Sequence, residues 1–351
     1  MKIVILGLSV RSSWGNGHAT TYRSLIRALA QRGHRIIFLE RDTPWYAQNC
    51  DISTPFEADV HLYSDFQDLR ARFASLVREA DLVMVGSYTP DGVAVGRWAI
   101  ETAGGATAFY DIDTPITLEK LDRNDTEYLS REVIKDYDLY LSFTGGPTLD
   151  RLSAYGAKAT RVLYCSADPD SYYAEQRAVR WDLGYMGTYS QDRSLALDHL
   201  LLVPARRWKH GRMVVAGPMY PDTAWPSNVT RIEHAAPRDH RAFYGSLRFT
   251  LNLTRQAMKS AGYSPSVRLF EAAACGCAII SDYWNGLEEF FLPGEEILLA
   301  RTSDEMLGYL KQLSDSARKS IGKRAREKIL AEHSGAVRAR QLERYIAEVG
   351  A

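Results

Sequence analysis

The 351-residue chain lacks most of the features that announce a specialised fold. Its four cysteines, Cys50, Cys165, Cys275 and Cys277, are too sparse for a disulfide framework. Cys275-Gly276-Cys277 has no second ligand pair with which to close a zinc site. The thiols therefore read as free and buried, in a reducing compartment. No apolar run approaches the length of a membrane span. The opening MKIVILGLSV lacks the basic region and the small-residue cleavage site of a secretory leader; it reads as a first buried strand, and the expected location is the cytoplasm. Lys plus Arg and Asp plus Glu number 43 each. That balance leaves no basic excess for general nucleic-acid binding. There is no short-period repeat and no low-complexity segment.

What the chain does have is alternation. Apolar runs of strand length alternate with helical patterns in both halves, and 351 residues are enough for two α/β domains with separate cores. In the first half, Lys2 to Leu8 reads as a buried parallel strand. The loop Ser12-Ser13-Trp14-Gly15-Asn16-Gly17-His18 follows it. Ala19 to Gln31 has helical spacing and Arg35 to Glu40 is a second strand. This is a βαβ unit. Its loop does not complete G-x-G-x-x-G, which disfavours a nicotinamide dinucleotide site. Further strands are expected at Asp81–Gly86, Ala106–Tyr110, Asp138–Phe143 and Arg161–Tyr164.

Asp111-Ile112-Asp113 stands at one strand's carboxyl end, where open α/β sheets bind ligands. A turn-stabilising role before Pro115 fits the same residues. Trp45 and Tyr46 could stack on a sugar ring or simply pack. His18, at the start of a helix, could act on a ligand or only hydrogen-bond its loop.

In the second half, Trp181 to Met186 reads as a strand ending in Gly187-Thr188-Tyr189. A helix is expected from about Arg193 to Leu202. Strands are expected at Met213–Ala216, Val229–Glu233 and Phe249–Thr254, the last running into Arg255. The densest signal is Tyr263 to Pro293. A Ser264-Pro265-Ser266 turn precedes a helix at Val267–Ala274, Gly276 ends it, and Ala278-Ile279-Ile280 is a buried strand. Arg268 and Glu271 are three residues apart and share a helix face. Near a helix start they suit a ligand with a phosphate for the guanidinium and a diol for the carboxylate. A surface ion pair is the plain alternative. Beyond this unit, Glu296–Ala300 is expected as a strand, and Ser303–Leu313 and Ser316–Val349 as helices.

Phe270-Glu271-Ala272-Ala273-Ala274-Cys275-Gly276-Cys277 resembles the donor-binding motif of GT-B glycosyltransferases of the group 1 type. The nearer resemblance is to the spore-maturation CgeB-like glycosyltransferases. It implies an α/β GT-B architecture, with two Rossmann-like parallel-sheet domains facing across a cleft. The expected boundaries are 1–170 for the acceptor side, 171–335 for the donor side, and 336–351 for a helix crossing back to the first domain.

By the same resemblance Glu271 grips the nucleotide ribose. Arg268, Arg255 and the helix start at Ser266 and Val267 take the diphosphate, with Thr188, Tyr189 and Arg193 beside them. His18 meets the reacting sugar or the acceptor, or serves as a base, with Asn16 and Gly17 next to it. Asp113 is a further base candidate and Asp111 an acceptor-facing one. The implied reaction moves a sugar from a nucleoside diphosphate sugar to an unknown acceptor, with retention, and without a metal or other cofactor. The family's other glutamate, eight positions before Glu271, is Tyr263 here. The rival readings are a nucleotide-sugar epimerase on the same fold and a non-catalytic scaffold of spore or envelope assembly.

Overall fold

A computed structural model describes residues 1–14, 16–52, 56–222 and 224–350. Gly15 of the first loop lies outside these. The chain divides into two compact units, residues 1–166 with 335–351, and residues 167–334.

The first unit runs β1 (Lys2–Gly7), α1 (His18–Gln31), β2 (Arg35–Arg41), α2 (Pro44–Gln48), β3 (Asp59–Tyr63), α3 (Phe66–Arg78), β4 (Leu82–Gly86), α4 (Gly92–Thr102), β5 (Ala106–Asp111), α5 (Thr114–Asp122), α6 (Arg131–Ile134), β6 (Leu139–Ser142), α7 (Thr148–Ala154) and β7 (Thr160–Val162). The second continues with β8 (Trp181–Met186), α8 (Gln191–Leu197), a π-helical turn at Asp198–Leu202, α9 (Val203–Arg207), β9 (Met213–Ala216), β10 (Val229–Ile232), α10 (Pro237–Gly245), β11 (Leu247–Asn252), α11 (Gln256–Ala261), α12 (Val267–Ala274), β12 (Ala278–Ser281), a 3₁₀ turn at Leu287–Glu289, β13 (Leu298–Leu299), α13 (Ser303–Gln312) and α14 (Asp315–Glu332). The last helix, α15 (Gly335–Val349), belongs to the first unit, where it packs on α1.

Each unit holds one parallel sheet, in the order β3-β2-β1-β4-β5-β6-β7 and β10-β9-β8-β11-β12-β13. Covered on both faces, the central strands must be apolar almost throughout. Ile3, Val4, Ile5 and Leu6 are fully buried, as are Val83, Met84 and Val85 beside them. In both sheets the strand order reverses next to the first strand, between β1 and β4 and between β8 and β11. Crossovers leave those strands in opposite directions and open a crevice at their carboxyl ends.

Several expected bounds shift by one or two residues, and three expected elements differ in kind or extent. The helix expected to start at Arg193 begins at Gln191 and widens into the π turn before Pro204, which has no N–H to close an ordinary turn. The single helix expected over Ser316–Val349 is broken at His333 and Ser334. There the His333 carbonyl accepts from the Ala167 amide at 3.1 Å, an exchange a continuous helix would forbid. The strand expected at Glu296–Ala300 shrinks to Leu298–Leu299.

Candidate functional site

In the second unit the loops after β8 and β9 are locked backbone to backbone. The Gly187 amide donates to the Ala216 carbonyl at 2.8 Å and the Tyr189 amide to the Pro218 carbonyl at 3.0 Å. Gly217 has φ 145°, and a Cβ there would fall 2.1 Å from the Gly187 carbonyl oxygen, so only glycine fits. The Tyr220 hydroxyl donates to that same oxygen at 3.1 Å. Arg231 reinforces the floor: it bonds the Val215 and Gly217 carbonyls and stacks on Tyr220 and Trp225.

Two arginines converge on this loop. Arg268, from the first turn of α12, lies over the Tyr185 ring at 5.1 Å and donates to Asn252 Oδ1 at 3.3 Å. Its Nη2 would be 2.6 Å from a Cβ at Gly187, so residue 187 has to be small. Arg193, in α8, donates to the Thr188 carbonyl at 2.8 Å, while its buried Nε has no partner. Both acceptors are neutral. Burial holds the Arg193 guanidinium below its ordinary pKa; Tyr185 opposes this, the Arg268 charge adds to it, and Asp192 opposes it more weakly. The buried Tyr185 hydroxyl is also without a partner. The resulting group has two cations, an orphaned hydroxyl and an orphaned N–H, which is a donor set for an anion with several oxygens.

The start of α12 adds to it. Its first-turn amides cannot bond within the helix, and Ser266 at the N-cap makes no side-chain cap. The helix can sit this deep because Ala272, Ala273 and Ala274 are fully buried. Gly276, at φ 69°, then turns the chain into β12. The carbonyl of Gly276 would be 2.3 Å from a Cβ at Gly322, which brings α14 tight against this turn.

Glu271, one turn beyond Arg268, is 4% exposed. That excludes the surface ion pair that spacing alone allowed. Its Oε2 lies 3.6 Å from His240 Nδ1. His240 Nε2 lies 3.2 Å from the Ala235 carbonyl, and the Tyr172 hydroxyl is 3.2 Å from Nδ1. Burial, then the Glu271 charge, push the Tyr172 and Tyr244 hydroxyls well above the ordinary tyrosine pKa, so both stay protonated.

Arg255 stands at the N-cap of α11, and its charge acts on Asp192 together with that of Arg193. Burial presses the Asp192 pKa up. The Ser190 hydroxyl, the Gln256 amide and the Arg193 and Arg255 charges outweigh it and hold the group ionised. Thr188 and Tyr189 contribute backbone to the loop.

In the first unit the loops after β1, β4 and β5 meet. His18 caps nothing with its ring. Its amide donates to Asn16 Oδ1 at 3.1 Å, while Asn16 Nδ2 bonds the Ser9 and Ser12 carbonyls. Asn16 is 4% exposed, and its side chain holds the loop that carries His18. Gly17 is exposed, with open space where a Cβ would be. The buried His18 Nδ1 has no partner, and burial holds the ring pKa down to about 4. The ring lies 5.3 Å from Tyr88, whose hydroxyl donates to Asp113 Oδ2 at 3.0 Å.

For Asp111 the structure favours the structural of the two roles that its position allowed. It is fully buried and points into the unit, accepting from Tyr140 at 2.5 Å and Thr117 at 2.8 Å, with its pKa raised by burial to about 6. It is a framework residue and faces no acceptor. Among the described residues, no three His, Cys, Asp or Glu side chains group so as to hold a metal ion. Among the described residues, no helix is long and apolar enough to cross a membrane.

Sequence reasoning named neither Tyr185, Tyr172 and His240 nor Tyr88 as site residues. Each is joined to its partner by distant segments, and the only local signal was the aromatic ending of β8.

Residues 193–344, less than half of the chain, match a family model described as glycosyl transferase-like. No curated protein sequence matches. Among solved structures, sucrose-phosphate synthase (tll1590) from Thermosynechococcus elongatus superposes with a TM-score of 0.71 at 14% identity, covering 99% of each chain. Anabaena HepE (Alr3699), in complex with UDP and glucose, gives 0.71 at 14% identity over 99% of this chain and 100% of its own. An alpha-glucosyltransferase in complex with UDP gives 0.73 at 10% identity, over 99% and 100%. These likenesses establish the fold: two parallel-sheet α/β units, of seven and six strands, matching GT-B glycosyltransferase structures.

Proposed function

We propose that the chain is a glycosyltransferase whose second unit binds a nucleoside diphosphate sugar. The observation that carries this reading is the convergence of Arg193 and Arg268 beside the uncapped start of α12, with neutral hydrogen-bond partners only. Two cations held together against their own repulsion, with a donor left over, suit a diphosphate. In transfer that group leaves with growing negative charge, and prepositioned donors stabilise it. Glu271 accepts the two ribose hydroxyls, and the Gly187–Tyr189 loop lies along the phosphates. The neighbours solved with UDP make UDP the first base to test.

His18 and Asp113, in the first unit, serve the sugar and acceptor side. At neutral pH the depressed His18 pKa leaves its ring uncharged, able to accept a hydroxyl proton or hydrogen-bond a sugar oxygen. The reading further includes retention, no divalent ion, a cytoplasmic location and membership of the CgeB-like group.

The test is a thermal-shift titration with UDP, GDP, UDP-glucose and GDP-mannose on the parent and on Glu271→Ala. A nucleotide that raises the parent's melting temperature but not the variant's supports the reading. Equal shifts in both chains would remove Glu271 from the site. No shift with any nucleotide would remove the donor reading altogether.

A further inference from the structure

One backbone feature of the first unit is not accounted for by packing. Tyr88 has φ 62°. A bulky side chain in the left-handed region is a rare and strained state, which persists only where the surroundings enforce it. Here they do. The Ser87 amide donates to the Tyr110 carbonyl at 3.0 Å, and Ser87 Oγ accepts from the Ile112 amide at 3.1 Å. Thr89 Oγ1 donates to the Leu6 and Gly86 carbonyls. The β4 loop is thus stitched to β1 on one side and β5 on the other, with residue 88 pushed outward between them.

A glycine or asparagine would fill such a position without strain, so the tyrosine calls for a role of its own. Its ring and hydroxyl engage different partners. The ring is tilted against His18 at 5.3 Å and against Tyr128 at 4.7 Å. The hydroxyl donates to Asp113 Oδ2. Burial, followed by the Asp113 charge, keeps that hydroxyl protonated far above neutral pH, so the donation has one fixed direction. The three residues come from the loops after β1, β4 and β5, at the carboxyl edge where the strand order reverses.

We propose that Tyr88 is the positioning residue of the first unit's site, fixing the His18 imidazole and the Asp113 carboxylate relative to one another. The proposal rests on the reading of His18 and Asp113 given above. Tyr88 also closes one side of the His18 ring, alongside the buried and partnerless Nδ1. A second carboxylate, Asp111 at the end of β5, acts on the Tyr88 hydroxyl more weakly than Asp113 does.

The experiment uses the full chain with Tyr88→Phe, Tyr88→Gly and His18→Ala. Two quantities are read: histidine ring titration by NMR, with His18→Ala identifying the His18 signal, and UDP release from UDP-glucose. Tyr88→Phe keeps the ring, so the His18 midpoint stays within half a pH unit of the parent. UDP release falls at least fivefold in kcat, with KM for the donor within twofold. Tyr88→Gly uncovers the ring, and the His18 midpoint rises by at least one pH unit. A folded Tyr88→Gly chain with an unmoved His18 midpoint overturns the proposal. So does full turnover in both Tyr88 variants while His18→Ala is inactive. If His18→Ala retains full turnover, the catalytic reading of His18 fails instead. If the parent releases no UDP, the transfer reading with this donor fails. In either case the His18 titration alone decides the assignment of Tyr88.

Discussion

Arg193→Met is expected to make the ligand-free chain more stable and the nucleotide-bound chain less so. The parent side chain carries a half-buried charge, an orphaned Nε and repulsion from Arg268. Leaving a buried donor unsatisfied costs about 1–3 kcal/mol. Replacing a buried ion pair by apolar side chains of similar volume is neutral or stabilising by about 1–4 kcal/mol, and this single half-buried charge stands at the low end of that range. Against this stands the lost hydrogen bond to the Thr188 carbonyl, worth about 1.5–3 kcal/mol because its donor is charged. The balance is a stabilisation of roughly 1 kcal/mol. For a unit of this size that raises the melting temperature by about 2–4 °C.

With UDP present the sign reverses. A charge-assisted bond to phosphate is worth about 1.5–3 kcal/mol, so its loss weakens UDP binding by about 10- to 100-fold. Differential scanning calorimetry of the free chain and isothermal titration with UDP give the two numbers. A variant that melts several degrees lower while binding UDP within twofold of the parent would refute the reasoning, since Arg193 would then be a structural cation and not a ligand-facing one.

Other perturbations separate site from scaffold. Gly187→Ala places a methyl group 2.6 Å from the tip of Arg268, a flexible side-chain end, so circular dichroism should show an intact fold while calorimetry shows UDP affinity reduced at least fivefold. Gly322→Ala meets backbone instead, 2.3 Å from the Gly276 carbonyl oxygen, and should lower stability by about 1–3 kcal/mol in urea melts. Hydrogen bonding to Arg32 and then His34 holds the pKa of Glu343 on α15 down to about 2, well below the ordinary 4.5 of a glutamate. A carboxylate depressed on folding stabilises above its unfolded pKa, and that contribution is lost as pH falls from about 4.5 towards 2. Glu343→Gln should therefore cost about 1 kcal/mol at pH 7, discounted for its partial exposure, and flatten the stability profile between pH 5 and 2.

The sequence made α12 and β12 plain because their signals are local. An alanine-rich helical run, a glycine at the left-handed C-terminal position and a short isoleucine strand all lie within fifteen residues. Val267–Ala274 and Met213–Ala216 match the structure to the residue. The sheet edges are harder. Asp59-Val60-His61-Leu62-Tyr63 alternates polar and apolar residues too briefly to mark a strand by itself; it becomes one where it pairs along the edge of β2. The break between α14 and α15 has only Ser334-Gly335 as a local signal, and its freed His333 carbonyl is met by Ala167, far away in the chain. The site divides the same way. Arg268 and Glu271 announce themselves by spacing, whereas His240 and Tyr172 flank Glu271 only because α10 and the segment after Ser166 fold against α12. Asp111 misleads for the opposite reason: its place at a strand end suggests a ligand, but its side chain turns inward to Tyr140 and Thr117.

A crystal structure of the chain with UDP bound tests the central claim most directly. The account predicts phosphate oxygens within hydrogen-bond distance of Arg193, Arg268 and the Val267 or Arg268 amide, and both ribose hydroxyls facing Glu271. UDP bound elsewhere in the second unit, with Glu271 still enclosed by Tyr172 and His240 and touching no ligand atom, would contradict it.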